Sequence, residues 1–84
     1  MEIKVMGSGC ATCKALHAAM QEAVRSLGMN ECVIYDTDIQ HAVEMGILRL
    51  PAVVIDGRIA AQGRKFSVRD AQELIKSHLP KVNI

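Results

Sequence analysis

The sequence predicts an α/β protein with the element order β-α-β-α-β-β-α and a four-stranded mixed sheet flanked by helices. Three observations predict this fold class. A short apolar run passes into a long stretch whose apolar residues have helical spacing. Two later apolar runs are separated by an Asp-Gly pair, which is typical of a β-hairpin. A second amphipathic stretch follows that hairpin.

The first strand and the first helix are separated by a short glycine-containing turn. Residues 3–6 form the strand, which ends at Gly7-Ser8-Gly9. Apolar side chains then recur three and four positions apart, as on one face of an α-helix. Gly28 is expected to end this helix. This apolar face contains Leu16, Ala19, Met20, Ala23, Val24 and Leu27. The opposite, solvated face contains Lys14, His17, Gln21 and Arg25.

The second strand and the second helix are shorter. Residues 31–35 are mostly apolar, which predicts a strand covered on both faces and near the centre of the core. Cys32 opens this strand, where we expect a small buried apolar side chain, with regulatory oxidation as the alternative. Thr37 or Asp38 can cap a helix that extends to residue 45. Its narrow apolar stripe consists of Ile39, Ala42 and Val43.

A hairpin follows, with strands at residues 52–55 and 58–61. Asp56-Gly57 suits the two positive-φ positions of a two-residue turn. Because the first two strands are joined through a helix, we expect them to be parallel with a right-handed crossover. The hairpin adds an antiparallel pair.

The last helix is marked by its capping residues. Ser67 and Asp70 form a pair that resembles a capping box, and Pro80 closes the helix. Its apolar residues are Ala71, Leu74, Ile75 and Leu79.

Length and charge limit the classes of function. Because 84 residues cannot bury two independent cores, we expect a single domain over residues 1–84. Ten basic and nine acidic residues give a net charge of +1 with no basic face, which argues against nucleic acid as a partner. There is no apolar run long enough to cross a membrane and no signal-peptide pattern. We therefore expect a cytoplasmic monomer that does not bind membranes.

Cys10 and Cys13 carry the candidate chemistry. Three cysteines are too few for a disulfide scaffold, so we expect at least two of them to have a chemical role. Side chains three residues apart on a helical turn can bring two sulfurs to bonding distance. The free amides of the first turn favour a thiolate, which makes Cys10 the predicted nucleophile and Cys13 the resolving thiol. The alternative, two buried structural cysteines, is disfavoured by the glycines that leave the first sulfur open.

These residues, together with Leu50-Pro51 and residues 52–57, resemble those of short, glutaredoxin-sized proteins of the thioredoxin-like superfamily. The resemblance covers essentially the whole chain and is greatest to proteins of the redox-active disulfide protein 2 type. It implies a thioredoxin-like fold and a cis Leu50-Pro51 peptide bond, with a trans proline at the start of a strand as the alternative. It further implies that the main chain of Leu50 binds an extended substrate segment across the cysteines.

The resemblance also implies the reaction. It indicates thiol–disulfide oxidoreductase activity on client proteins with disulfides, with electrons from a thioredoxin-reductase-like donor and no bound cofactor. Gly9, Ala11 and Thr12 would share the substrate surface with Leu50 and Pro51.

Several residues depart from the family pattern. Gly9 replaces the aromatic residue that usually precedes the first cysteine, and Ala11-Thr12 replaces Gly-Pro. The first strand lacks the buried acid of thioredoxins, so water, Lys4 or the substrate would have to move the resolving proton. Gly63 and Arg64 only faintly resemble the glutathione-binding residues of glutaredoxins, which gives no support for a reaction with glutathione.

Other residues have simpler interpretations. Lys14 either raises the local positive potential or is a solvated helix residue. His17 could join Cys13 at a metal but fits a solvated surface position better, and we expect His41 and His78 to be surface residues without partners. The methionines are too dispersed for a copper site.

The main alternative function is soft-metal binding through the same two cysteines. Heavy-metal-associated domains have a similar first strand, cysteine loop and helix, and the first 27 residues fit either class. Those domains place a hairpin directly after the first helix, whereas this sequence predicts a helix at residues 38–45 and a hairpin only after Pro51. The redox interpretation is therefore favoured.

Overall fold

Seven secondary-structure elements occupy the part of the chain that the computed structural model describes, residues 2–63 and 66–78. In chain order they are β1 (Ile3–Met6), α1 (Ala11–Ser26), β2 (Val33–Asp36), α2 (Ile39–Glu44), β3 (Ala52–Ile55), β4 (Arg58–Gln62) and α3 (Val68–His78). The order confirms the prediction, including the helix that precedes the hairpin. Arg64, Leu79 and Pro80, to which the sequence analysis gave roles, lie outside the described residues. In the described part of the chain, no helix is long and apolar enough to cross a membrane.

The four strands form one mixed sheet in the order β2-β1-β3-β4. β1 is parallel to β2 and antiparallel to β3, and β3 is antiparallel to β4. The predicted fold class is confirmed. Because β1 is central, the loop that follows Met6 leaves the middle of the sheet.

Helices α1 and α3 cover one face of the sheet. The predicted apolar stripe of α1 packs on alternate residues of the strands, and Ala71 and Ile75 of α3 join the same cluster. Leu27 caps α1, and Gly28 follows with φ +70°, the left-handed conformation expected of a glycine stop. The packed residues from α1 and the strands include Ile3, Val5, Leu16, Met20, Ala23, Val24, Val33, Val53 and Ile55.

The opposite face is covered by α2 and the loop after it, and here the predicted stripe is wrong. Asp38 caps α2 as expected, but Ile39 is 50 % exposed and Val43 is 66 % exposed. Ala42 is the one buried residue of the helix. A helix of six residues is too short to present a full apolar face, so Ile47 from the following loop completes this side of the core.

The prediction for β2 is also wrong in part. β2 is an edge strand, and its apolar sequence does not place it at the core centre. Val33 is buried beneath α1, whereas Ile34, on the other face, is 45 % exposed. Cys32 precedes the strand and is exposed, so it is not the buried core residue that we expected.

The turn and capping predictions are confirmed. Asp56 and Gly57 adopt φ values of +51° and +81° in the β3–β4 turn. At the start of α3, Asp70 N–H donates to Ser67 Oγ, and Ser67 N–H donates to Asp70 Oδ2, both at 3.2 Å. This reciprocal pair is the capping box read from the sequence.

Candidate active site

Cys10 is the N-cap of α1, at the point where the loop from β1 enters the helix. Its backbone is extended, with φ −74° and ψ 167°, and its side chain is exposed. The Cys10 carbonyl accepts the N–H of Lys14 at 3.0 Å, and Cys10 Sγ lies 3.4 Å from the donating N–H nitrogen of Cys13. The sulfur therefore occupies the position where an N-cap side chain satisfies a free amide.

Cys13 lies in the first turn of α1 and is fully buried. Its Sγ is 3.1 Å from Sγ of Cys10, and both residues are free thiols. Ser8 Oγ lies 3.9 Å from Cys13 Sγ. One exposed and one buried sulfur thus face each other at hydrogen-bonding distance, as the spacing of the two cysteines predicted.

The environment of Cys10 favours its thiolate. The hydrogen bond with the Cys13 side chain, followed by those from the Cys13 backbone and Ser8, lowers the pKa of Cys10 from its ordinary 9.0 to about 7. A thiolate accepts hydrogen bonds more strongly than a thiol, so each donor stabilises the anion. The charge of Lys14 is not among the causes, and its side chain is exposed. Ser8, which the sequence predicted only as part of a turn, also contributes to the lower pKa of Cys10.

Gly7 allows the loop to pass close to the resolving thiol. A Cβ at this position would lie 2.7 Å from Cys13 Cβ, 3.0 Å from Cys13 Sγ and 2.9 Å from Tyr35 Cε1. These distances are shorter than side-chain contacts permit. Glycine is therefore required here by packing, beyond the role of ending β1 that the sequence suggested.

Tyr35 and His17 support the loop from the side of α1. The Tyr35 hydroxyl accepts the N–H of Gly9 at 3.1 Å. The Tyr35 and His17 rings stack with centroids 5.0 Å apart, and His17 Nε2 lies 2.8 Å from the Val33 carbonyl oxygen. His17 is thus half-buried between α1 and β2 and is not the solvated residue that we predicted. Its helical spacing suggested water, whereas the position of β2 beside α1 was not visible in the sequence.

The Leu50-Pro51 peptide bond is cis, which confirms the expectation from the resemblance. β1 and β3 pair Met6 with Ala52, so the preceding residue, Pro51, lies next to Gly7 when this register is continued. Pro51 is buried, and Leu50 packs against the apolar cluster on the α2 side. Both residues therefore lie at the same end of the sheet as the cysteine loop.

The remaining predicted site residues flank the two sulfurs. Gly9 is half-buried with φ +84°, which a residue with a side chain rarely adopts. Ala11 is exposed and Thr12 is half-buried in the first turn of α1. The structure thus brings these three residues together with the cysteines.

The other two histidines contact residues other than the cysteines. His41 was expected to lack a partner, but its Nδ1 lies 2.7 Å from Asp36 Oδ2, close enough for an ion pair. The hydrogen bond from Asp38 N–H and the contact with His41 lower the pKa of Asp36. His78 is exposed at the end of α3, as predicted, but it is not without partners, because its Nδ1 lies 2.9 Å from the Leu74 carbonyl oxygen and 3.2 Å from Ser77 Oγ. Within residues 2–63 and 66–78, no group of three or more His, Cys, Asp or Glu side chains could hold a metal ion.

Comparison with known proteins gives consistent matches over nearly the whole chain. The family model described as Thioredoxin domain matches residues 1–76. A protein named Thioredoxin from Methanothermobacter thermautotrophicus is 29% identical over 75 residues, which are 89% of this chain and 97% of that protein. A protein named Thioredoxin from Methanocaldococcus jannaschii is 30% identical over 77 residues, or 92% of this chain and 88% of that protein.

Proposed function

The chain belongs to the thioredoxin family, and from that premise we propose that it exchanges a Cys10–Cys13 dithiol with disulfides in client proteins. Family membership supports the general role of a thiol–disulfide oxidoreductase. One observation carries the specific assignment. An exposed sulfur with a pKa lowered to about 7 lies 3.1 Å from a second, buried thiol.

The first step is attack by the Cys10 thiolate on one sulfur of the client disulfide. The new bond joins Cys10 Sγ to that sulfur, the client S–S bond breaks, and the departing client thiolate takes up a proton from water. A thiolate with a pKa close to ambient pH combines a useful anionic fraction with good nucleophilicity. Cys10 is suited to this step because its side chain is exposed.

The second step is attack by Cys13 on Sγ of Cys10. The Cys13 thiol loses its proton, the Cys10–Cys13 disulfide forms, and the second client sulfur leaves and becomes protonated. Overall the client gains two electrons and two protons, and the two cysteines lose them. The 3.1 Å separation supports this assignment, because little rotation of either side chain is needed.

Client binding involves the residues around the two cysteines. An extended client segment would pair with the main chain of Leu50 beside Pro51, and Gly9, Ala11 and Thr12 would form the rest of the surface. Lys14 would add positive charge near this surface. The oxidised protein would be returned to the dithiol by a thioredoxin-reductase-like donor. We further propose that it acts in the cytoplasm as a monomeric domain without a cofactor, and without binding nucleic acid or membranes.

An insulin-reduction assay with dithiothreitol as the electron source tests this function. The wild-type protein should accelerate reduction, and Cys10→Ser should abolish the acceleration. Reduced Cys13→Ser, freed of dithiothreitol and mixed with insulin, should accumulate a mixed disulfide at Cys10, because no second thiol releases it. Cys32→Ser is the matched control, because it removes an exposed thiol outside the site. Retained turnover by Cys10→Ser would contradict the assignment of the nucleophile.

A further inference from the structure

The side chain of Gln62 holds the segment that precedes Pro51. Gln62 Oε1 accepts the N–H of Leu48 at 2.8 Å and the N–H of Arg49 at 3.2 Å. Gln62 is the last residue of β4 and pairs with Ala52 of β3. The acceptor oxygen therefore belongs to a residue of the sheet, and the two N–H donors belong to the loop that precedes Pro51.

The next residue, Gly63, holds the other end of the same segment. Its N–H donates to the Pro51 carbonyl at 2.8 Å. A Cβ on Gly63 would lie 2.9 Å from Arg49 Cδ and 3.0 Å from Arg49 Cβ, so the Arg49 side chain packs directly on this glycine. Residues 48–51 are thus tied to the end of β4 at both ends.

Apolar burial does not explain the positions of Leu48 and Arg49, although Leu50 does pack against apolar side chains and Pro51 is buried. Leu48 is 87 % exposed, and Arg49 is also exposed. A loop residue with an exposed apolar side chain gains little from staying in place, and its free N–H could bond to water equally well. The shared acceptor on Gln62 therefore contributes to fixing Leu48 and Arg49.

We propose that Gln62 is a positioning residue for client docking, since it fixes residues 48–50 for binding of the client backbone. This inference rests on the proposed function, in which Leu50 pairs with a client segment. Gln62 acts through the loop and not on the sulfur chemistry, because it is not among the groups that shift the pKa of Cys10. An ordered loop binds with a smaller loss of conformational entropy than a mobile one.

The test compares Gln62→Leu with Gln62→Glu in two reactions. Leucine removes both acceptor bonds, whereas glutamate keeps an oxygen at the same distance along the side chain. For insulin as substrate, Gln62→Leu should raise KM about fivefold, as expected for the loss of hydrogen bonds that order the loop, with kcat nearly unchanged. Gln62→Glu should restore most of the affinity. The single-turnover reaction of the dithiol with a small aromatic disulfide, which lacks a peptide segment, should change less than about twofold.

A matched control is available in α3. Gln72 Nε2 donates to Ser26 Oγ across the α1–α3 packing, away from the residues assigned to client binding. Gln72→Leu makes the same chemical change and should leave KM for insulin unchanged. Hydrogen exchange gives a direct structural measurement, because the N–H groups of Leu48 and Arg49 should lose protection in Gln62→Leu alone.

The outcomes separate this inference from the proposed function. If the wild-type protein does not reduce insulin, both the proposed function and this inference are contradicted. An active wild type with an unchanged KM in Gln62→Leu would overturn the inference alone, as would an equal loss in both reactions. If Gln62→Leu does not fold, Gln62→Asn provides the same comparison, because its amide is one methylene too short to reach both donors.

Discussion

The Tyr35 hydroxyl accepts a hydrogen bond from the N–H of Gly9, the residue before the candidate nucleophile, at 3.1 Å. The same ring stacks on His17, one helical turn beyond Cys13. The cysteine loop is therefore held from β2 as well as from α1. This explains how a loop containing two glycines can present Cys10 in one defined position.

Replacing Tyr35 with phenylalanine should loosen this loop while keeping the stacked ring. Loss of one hydrogen bond should reduce the free energy of unfolding by about 1 kcal/mol. Urea unfolding measures this loss, and hydrogen exchange at Gly9 should show reduced protection. Unchanged exchange at Gly9 would contradict the role given to the hydroxyl.

Gly7→Ala should displace Cys13. The added methyl would lie 2.7 Å from Cys13 Cβ, and overpacking of this kind costs about 1–3 kcal/mol. We expect slower insulin reduction as well as lower stability in urea. Gly28→Ala is the control, since its left-handed φ costs about 1–2 kcal/mol with no atom within 4 Å of the new methyl. Gly28→Ala should therefore lose stability without losing the specific activity of the folded protein, and equal activities in the two variants would argue against the clash.

Asp36→Asn should lower stability at neutral pH by about 1 kcal/mol through the loss of a charged hydrogen-bond acceptor. Bonding to Asp38 N–H and His41 places the pKa of Asp36 lower in the folded than in the unfolded protein. The carboxylate therefore stabilises the fold fully above its unfolded pKa, and this contribution disappears as the pH falls through the lower, folded value. Urea unfolding of both proteins from neutral to acidic pH measures the difference. A difference that grows in acid would contradict this sign.

Ser67→Ala should remove half of the capping box of α3 and cost about 1 kcal/mol. Ser77→Ala is the control, because within the described residues its hydroxyl makes exposed hydrogen bonds near the end of the same helix. Thermal or urea unfolding should show a clearly larger loss for Ser67→Ala. Similar losses would mean that the cap contributes little to the packing of α3 on α1.

Local sequence rules were sufficient for much of the fold. The Asp56-Gly57 turn and the Ser67/Asp70 cap depend on backbone conformations that only a few residues favour, and both are present. The pairing of Cys10 with Cys13 was also predictable, because it depends on a single helical turn. These features need no knowledge of distant contacts.

Features that depend on neighbouring elements were harder to predict. An apolar run does not reveal whether its strand is central or at an edge, which is why Ile34 and Cys32 were wrongly expected to be buried. His17 found a partner on β2 that is 16 residues away in the sequence. The partner of His41, Asp36, is only five residues away, but their contact depends on how the β2–α2 turn folds. The role of Gln62 could not be predicted from the sequence either, because it depends on the loop that packs beside this residue.

The assignment of Cys10 as the reactive thiolate can be tested by measuring the rate of cysteine alkylation as a function of pH. The Cys32→Ser protein, reduced and treated with iodoacetamide, leaves only the two site cysteines to react, and mass spectrometry locates the modification. Modification should occur first at Cys10, and its rate should rise to a plateau with an apparent pKa of about 7. A profile centred at the ordinary thiol pKa of 9.0, or earlier modification of Cys13, would contradict this assignment.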